Sequence, residues 1–159
     1  DRVAILSGLF GLLRPLDLIQ PYRLEMGTKL KTRRGANLYA FWGDKIAQQL
    51  DRKLSGHNDG TLVNLASNEY FKAVAKKALK APVVECVFED WKVHADEGTV
   101  IGFLAKYARG LMARYIVTEQ IDCVEGLKEF NAERYAYDAA RSTDTRWVFK
   151  RKFVPVTPN

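Results

Sequence analysis

The chain has 159 residues, of which 47% are hydrophobic and 28% charged, and its 25 Lys and Arg against 19 Asp and Glu give a formal charge of +6. This length and hydrophobic content support a buried core and exclude an intrinsically disordered chain. No stretch approaches the run of about 18 apolar residues that a membrane helix needs. Two widely spaced cysteines, Cys86 and Cys123, and no signal-like N-terminal segment argue against a secreted disulfide scaffold. We therefore expect one cytoplasmic domain over residues 1–159, with no membrane partner.

The first residues predict that the chain starts inside a structural element. Asp1 stands where Met is expected, and residues 3–6 already have the apolar character of a buried strand. We expect an N-terminal part to be missing. Residues 7–26 are apolar but contain two Gly and two Pro, which interrupt every helical or strand period. We predict a mostly irregular segment held against the core, a setting that often carries functional sites.

The next part of the chain predicts alternating helices and strands. Apolar residues at helical spacing indicate an amphipathic helix over residues 37–54, with Asn37 as its N-cap. Residues 61–66 indicate a short strand, after which Ser67 and Glu69 begin a helix that runs to about residue 79.

The second half of the chain predicts a sheet with one long helix. Strand-like runs at 83–88, 91–93 and 99–103 suggest an antiparallel strand pair around a turn at 96–98. A strong apolar stripe predicts a helix over 104–120, followed by a shorter helix over 124–129. Near the end of the chain, the residues alternate as in a strand around Tyr135 and Tyr137. After a turn near 142–144, residues 147–153 also indicate a strand. We predict a mixed α/β (α+β) fold, in which a mixed sheet with antiparallel pairs is flanked by helices and is incomplete at the N-terminus.

Metal and cofactor motifs are scarce. His57 and His94 lie far apart in the sequence, and neither cysteine has a C-x-x-C partner. The familiar phosphate-binding loops are absent, since Gly8 and Gly11 form only G-x-x-G. We predict no metal site and no cofactor.

Three polar clusters remain as candidate sites. The first lies in the irregular segment 7–26, which we call the Pro-bounded segment. Its two guanidinium groups could bind a phosphate or carboxylate, and its members are Arg14, Asp17, Tyr22, Arg23 and Glu25. The junction of the predicted strand and helix favours an anion at a cluster of Asn64, Ser67, Asn68, Glu69 and Tyr70. The predicted helix 104–120 carries a cluster of Lys106, Arg109, Gly110 and Arg114. Internal ion pairs, helix capping and a solvated helix face are the respective alternatives, and the sequence leaves them open.

Two basic runs lie outside these clusters. The first comprises Lys29, Lys31, Arg33 and Arg34, and the second comprises residues 150–152. If they share a face, they form a footprint for the phosphate backbone of a nucleic acid. We expect the arginines of the clusters to be internal and the basic runs to be external.

Four stretches carry a family resemblance: LSGLFGLLRPLDLIQPYRLEM at 6–26, FWGD at 41–44, NLASNEYF at 64–71 and ARGLMAR at 108–114. Together they closely resemble the YaaA peroxide-stress family, and the likeness covers essentially the whole chain. The chain is similar to the C-terminal three fifths of a family member.

The resemblance implies a cytoplasmic protein that limits oxidative damage by lowering free iron and that binds DNA through a basic cleft. It also implies that the family's helix-hairpin-helix element, to which DNA binding is attributed, is absent from these residues. By family position, the nucleic-acid or phosphate-binding candidates are Arg14, Tyr22, Arg23, Asn64, Ser67, Tyr70, Lys106, Arg109 and Arg114. Glu25 and Glu69 also match family motifs and are candidates for the cleft. Phe10 stands where the family pattern leads us to expect Tyr, so it supplies no hydroxyl.

The leading hypothesis is a DNA-binding peroxide-stress protein. Its basic residues contact the phosphates of double-stranded or bubble DNA, and Tyr22 or Tyr70 stacks on unpaired bases. The alternative is an enzyme that acts on a nucleotide or another phosphorylated small molecule, with Glu25 or Glu69 as general acid or base. Direct chelation of iron ranks third, because His and Cys are scarce.

Overall fold

In the computed structural model of the chain, residues 2–92 and 98–153 are described, except for the side chains of residues 92 and 153. Backbone contacts divide these residues into two compact units. The first unit comprises residues 2–60 and 66–81, and the second comprises residues 61–65, 82–92 and 98–153. This division does not test the prediction of one domain over residues 1–159, which stays a prediction.

The first unit begins with a β-hairpin. Strands β1 (Ile5–Ser7) and β2 (Gly11–Leu13) pair antiparallel, with Ile5 opposite Leu13. The rest of the Pro-bounded segment, residues 14–25, contains neither helix nor strand. The prediction of a mostly irregular segment therefore holds after the hairpin but not within it.

The predicted helix over residues 37–54 is two helices in the structure. Asn37 caps α1 (Leu38–Trp42), as predicted, because its side chain accepts a hydrogen bond from the Ala40 amide at 2.9 Å. The chain then turns at Gly43, whose φ of 49° ends the helix, and α2 (Lys45–Leu54) begins after Asp44. The apolar period continues across this turn, which is why the sequence did not reveal the break.

The helix predicted to run from Ser67 to about residue 79 is also shorter. Ser67 caps it, but α3 spans only Asn68–Phe71. The residues that follow form single turns, and the backbone amides of Lys80 and Ala81 donate to the Asp51 carboxylate of α2 at 3.0–3.1 Å. Tertiary hydrogen bonds therefore replace the predicted continuation of the helix.

The second unit is built on a four-stranded sheet. Its strands lie in the order β3 (Leu62–Asn64), β4 (Val83–Lys92), β6 (Arg146–Phe153) and β5 (Ala136–Tyr137). The β3–β4 and β4–β6 pairs are parallel, and the β5–β6 pair is antiparallel. Together with the helices, this mixed sheet confirms the predicted fold class.

The predicted strand pair around residues 96–98 is confirmed only in part. β4 continues without a break from Val83 to Lys92, because β6 offers it a matching parallel edge. One antiparallel bridge joins Asp90 to Thr99, and a helix starts at Gly102. Residues 93–97, which include most of the predicted turn, lie outside the described residues.

One long helix and three 3-10 helices complete the second unit. The long helix, α4 (Gly102–Thr118), contacts β4 and agrees with the prediction over 104–120 within two residues at each end. The 3-10 helices span Val124–Glu129, Ala132–Arg134 and Ala139–Arg141. No helix in the described part of the chain is both long and apolar enough to cross a membrane.

Aromatic residues dominate the core of the second unit. Phe88 of β4 stacks on Phe149 of β6 and meets Phe130 and Tyr135 edge to face, and all four side chains are at most 1% exposed. Met112 brings α4 into the same cluster. Aromatic side chains bury large apolar areas, so the packing of Met112 in this cluster holds α4 against the sheet.

We predict that Phe88→Ala lowers the free energy of unfolding by about 3–5 kcal/mol, because it leaves a cavity among the three rings that Phe88 contacts. Urea denaturation followed by circular dichroism measures the change. Phe103→Ala is the control, since that side chain is 80% exposed and its loss is expected to change stability by less than about 0.5 kcal/mol. Equal effects of the two substitutions would contradict this core.

The two cysteines are free thiols in different environments. Burial, with a smaller contribution from Glu85, raises the pKa of the Cys86 thiol to about 12, whereas Cys123 is exposed. At pH 8, we expect a thiol reagent to modify Cys123 in the native protein and both cysteines in denaturant. Because the pKa of Cys86 is higher in the folded state than the ordinary value of 9.0, its contribution to stability is lost as the pH rises from about 9 to 12. Rapid native modification of Cys86 would contradict its burial.

Candidate functional site

The predicted site residues are divided between the two units. The first unit holds Arg14, Tyr22, Arg23, Ser67 and Tyr70, together with the candidate catalytic residues Glu25 and Glu69. The second unit holds Asn64, Lys106, Arg109 and Arg114. The surroundings of these residues are therefore described unit by unit.

The glycines of the G-x-x-G sequence allow close packing in the first unit. A Cβ at Gly8 would lie 2.4 Å from the Leu24 carbonyl oxygen, and one at Gly11 would lie 2.8 Å from the Trp42 ring. The Trp42 indole N–H also donates to the Gly8 carbonyl at 3.0 Å. These contacts hold the hairpin against α1 and against the segment that precedes Met26, so the two glycines have a structural explanation that needs no phosphate.

Tyr22 is anchored by the same hairpin. Its hydroxyl is hydrogen-bonded to the buried Ser7 Oγ, which also accepts from the Phe10 amide at 3.0 Å. The Phe10 and Tyr22 rings meet edge to face at 5.4 Å and both remain more than a third exposed. The hydroxyl of Tyr22 therefore points to the protein interior, while part of its ring faces solvent.

Tyr70 stands beside the two candidate catalytic glutamates. Burial raises the pKa of the Tyr70 hydroxyl, the charge of Glu69 and the nearby Glu25 and Tyr22 raise it further, and a hydrogen bond with the Met26 backbone opposes the rise. We call Ser7, Tyr22, Glu25, Glu69 and Tyr70 the tyrosine cluster. A tyrosine is already protonated at neutral pH, and the upward shift of its pKa extends this state of the Tyr70 phenol, a neutral hydrogen-bonding group, to more alkaline pH.

Glu69 also has a structural role. Its carboxylate accepts a hydrogen bond from the Gly27 amide at 2.8 Å, and its backbone carbonyl accepts one from the Tyr39 hydroxyl at 3.1 Å. Ser67 caps α3 by accepting a hydrogen bond from the Tyr70 amide. The capping alternative that the sequence left open is thus present in the structure, and Glu69 joins three segments of the first unit.

The two arginines of the Pro-bounded segment are external, which corrects the expectation that they are internal. Arg14 pairs with Asp17 at 2.7 Å, and hydrogen bonds from Arg14 lower the pKa of the Asp17 carboxyl. The side chain of Arg23 is 93% exposed and lies 3.8 Å from Glu25. Local pairing and solvent, and not a protein interior, surround these guanidinium groups.

The remaining candidates lie in the second unit. Asn64 is buried at the end of β3. Lys106 and Arg114 are exposed on α4, whereas Arg109 is half-buried and donates from Nε to the Ala105 carbonyl at 3.1 Å. A solvated helix face, which the sequence left open as an alternative, describes the Lys106 and Arg114 side chains.

Within the C-terminal basic run, Lys150 and Lys152 are exposed as expected, whereas the side chain of Arg151 is largely buried, which corrects the expectation for that residue. Arg151 bonds the buried Asp90 carboxylate at 2.6 Å, and Tyr135 donates to the other oxygen of the same carboxylate. Lys150 pairs with Asp138 at 2.6 Å. The sequence signal for the Arg151–Asp90 pair was an acidic residue within an apolar strand, followed later in the chain by a strand that carries basic residues.

The first unit carries many exposed cations in two stretches of the chain that lack acidic residues. Residues 27–43 and 70–84 contain no Asp or Glu. They carry eight exposed basic side chains: Lys29, Lys31, Arg33, Arg34, Lys72, Lys76, Lys77 and Lys80. The first four lie around a turn in which Thr32 and Gly35 exchange backbone hydrogen bonds, and we call these four residues the basic turn.

The net charge belongs to the first unit. Residues 1–60 and 66–81 contain 14 Lys or Arg against seven Asp or Glu, a formal charge of +7, whereas residues 61–65 and 82–159 contain 11 against 12, a charge of −1. These values add to the +6 of the chain. In the described residues, no group of three or more His, Cys, Asp or Glu is arranged to hold a metal ion.

Fold and charge together define a mixed α/β protein whose first unit is strongly basic. The family model described as Peroxide stress protein YaaA matches residues 1–141. The chain is 57% identical to a UPF0246 protein of Bordetella petrii over 152 residues, which cover 96% of this chain and 59% of the relative. It is 56% identical to a UPF0246 protein of Caulobacter vibrioides over 151 residues (95% and 58%) and 54% identical to one of Variovorax paradoxus over 153 residues (96% and 58%).

The chain belongs to the family of the peroxide stress protein YaaA, which confirms the resemblance in its motifs. It spans about three fifths of the length of the curated relatives that it matches. The family assignment connects the chain with the response to peroxide stress.

We predict that Gly8→Ala lowers the free energy of unfolding by about 1–3 kcal/mol, because the new methyl group collides with the Leu24 carbonyl. Urea denaturation measures the loss. Gly60→Ala is the matched control, since a Cβ at that position meets nothing within 4 Å and is expected to change stability by less than about 0.5 kcal/mol. A Gly8→Ala protein as stable as the control would show that the hairpin does not pack in this way.

Proposed function

We propose that this chain binds DNA through the exposed cations of its first unit, as part of a peroxide-stress protein that helps limit iron-dependent oxidative damage. The observation that carries the proposal is the distribution of charge. Seven excess positive charges lie in the first unit, and none lie in the second. A basic surface of this kind attracts the phosphate backbone and releases condensed counterions on binding.

The basic turn supports a backbone contact in particular. Its four side chains are exposed, no acidic residue lies within residues 27–43, and the hydrogen bonds between Thr32 and Gly35 keep the turn tight. The Arg34 guanidinium lies over the Phe41 ring at 4.9 Å, which restricts its position. Exposed cations with no acidic residue near them in the sequence are suited to contact phosphates.

The exposed rings of Phe10 and Tyr22 support a contact with unpaired bases. They lie in the same unit as the cations, and Tyr22 is held by its hydrogen bond to Ser7. Base stacking on fixed aromatic rings is tolerant of sequence. DNA that contains a bubble is therefore expected to bind more tightly than a fully paired duplex.

The alternative of an enzyme acting on a nucleotide or another phosphorylated small molecule stays a prediction. The tyrosine cluster would supply its polar groups, with Glu25 or Glu69 as acid or base. Two carboxylates disfavour a phosphate beside them, however, because like charges repel. The cations of the basic turn are better phosphate ligands, which is why DNA binding is the function we propose.

The triple variant Lys29→Gln, Lys31→Gln and Arg33→Gln tests the proposal. Fluorescence anisotropy with labelled duplex and bubble DNA at several salt concentrations gives the slope of log K against log salt. We expect the slope for duplex DNA to become less steep by about 0.9 for each phosphate contact that the variant loses.

A second triple variant provides a matched control in the other unit. Lys106→Gln, Arg114→Gln and Lys152→Gln removes the same number of exposed charges from the second unit. We expect this control to retain most of the affinity and slope of the parent chain. A larger loss of affinity in the control would show that DNA contacts the second unit instead. Salt-insensitive or undetectable binding by the parent chain would overturn the proposal.

A further inference from the structure

The helix α4 is apolar on two opposite sides. Ala105, Ala108 and Met112 face the core of the second unit and are at most 4% exposed. On the other side, Phe103 is 80% exposed and Tyr107 and Val117 are each 50% exposed. Exposed apolar side chains grouped on one side of a helix mark an interaction surface, and the described part of the chain leaves these three at least half exposed.

The exposed side has the spacing of a helix-packing seam. Its members follow one another at alternating intervals of four and three residues: Phe103, Tyr107, Gly110, Arg114 and Val117. We call these five residues the outer face of α4. Intervals of three and four residues place side chains in one stripe along a helix, which is the arrangement that receives a second helix.

Gly110 lies in the middle of this stripe. A Cβ placed there meets nothing within 4 Å, so no part of the described chain fills the space above the helix at that point. Glycine costs helix stability in a helix interior, and its usual compensation is close approach of another backbone. Tyr107 and Arg114 flank Gly110 on the same side of the helix.

The charges of α4 indicate the chemistry of the occupant. Residues 98–118 contain Lys106, Arg109 and Arg114 and no acidic residue. A second copy of α4 crossing antiparallel at Gly110 would bring Arg114 of one helix towards Lys106 of the other, and such like-charge pairs oppose association. An apolar helix flanked by carboxylates would instead complement the outer face.

We propose that the outer face of α4 docks a helix with an apolar stripe and flanking carboxylates, supplied by the part of the longer family proteins that this chain does not match. The 159 residues match only 58–59% of the length of their curated relatives, so those relatives contain a further two fifths of chain. The contact stabilises the longer protein and does not depend on DNA binding by the first unit.

Cysteine protection tests the proposal. In a Cys123→Ser background, Tyr107→Cys is labelled with a maleimide in two proteins. One is the 159-residue chain, and the other is a hybrid in which this chain replaces the matching three fifths of the Bordetella petrii relative. Because the centre of a packed interface excludes water, we expect labelling in the hybrid to be at least about tenfold slower than in the 159-residue chain.

Leu18→Cys is the matched control, since the Leu18 side chain is fully exposed in the first unit. Its labelling rate is expected to be the same in the two proteins. Equal rates for Tyr107→Cys in both proteins, or equal slowing at both positions, would overturn the proposal. Protection that appears in the 159-residue chain alone as its concentration rises would instead assign the face to a second copy, and protection that requires anionic phospholipid vesicles would assign it to a lipid surface.

A second measurement needs no hybrid. Hydroxyl-radical footprinting compares oxidation of the peptide that contains Phe103 and Tyr107 in this chain with that of the aligned peptide in the complete Bordetella petrii relative. We expect strong oxidation in the first and protection in the second. Similar oxidation of both peptides, normalised to the reactivity of their aromatic residues, would overturn the proposal independently.

Discussion

The central position of β4 constrains the whole second unit. β4 is paired on both edges, and because the consecutive residues Phe88, Glu89 and Asp90 are at most 4% exposed, both of its faces are buried there although two of these residues are acidic. β6 resolves this conflict by placing Arg151 opposite Asp90, while Tyr135 satisfies the second carboxylate oxygen. A slip of one residue between β4 and β6 would reverse the faces and leave a buried carboxylate without its cation.

The two units use their charges in different ways. In the second unit, Glu89 lies between Arg141 and Arg146, and Lys150 bonds Asp138, so cations that look available in the sequence are engaged in internal pairs. The first unit has half as many acidic residues as basic ones, and its basic turn has no acidic neighbour in the sequence. Because an unpaired surface cation attracts a polyanion more strongly than a paired one, this contrast directs the functional proposal to the first unit.

The structure agrees with the sequence where a signal spans only a few neighbouring residues. The apolar stripe of α4 and the Asn37 cap are signals of this kind. The early end of α3 has no such local signal, because the Asp51 carboxylate that binds the backbone beyond this helix lies about thirty residues away in the chain. Ser7 could not be selected either, since only the hairpin places its hydroxyl beside Tyr22. Motifs select residue types, whereas distances between segments decide what those residues touch.

The sequence by itself determined the family, the mixed α/β class and an excess of six positive charges. Only the tertiary structure decided where that excess lies. Arg14 and Arg23, expected to be internal, are exposed, and Arg151, expected to be external, is buried against Asp90. The physical reason is that net charge is a sum over residues, whereas the availability of each charge depends on whether the fold brings an opposite charge within a few ångströms.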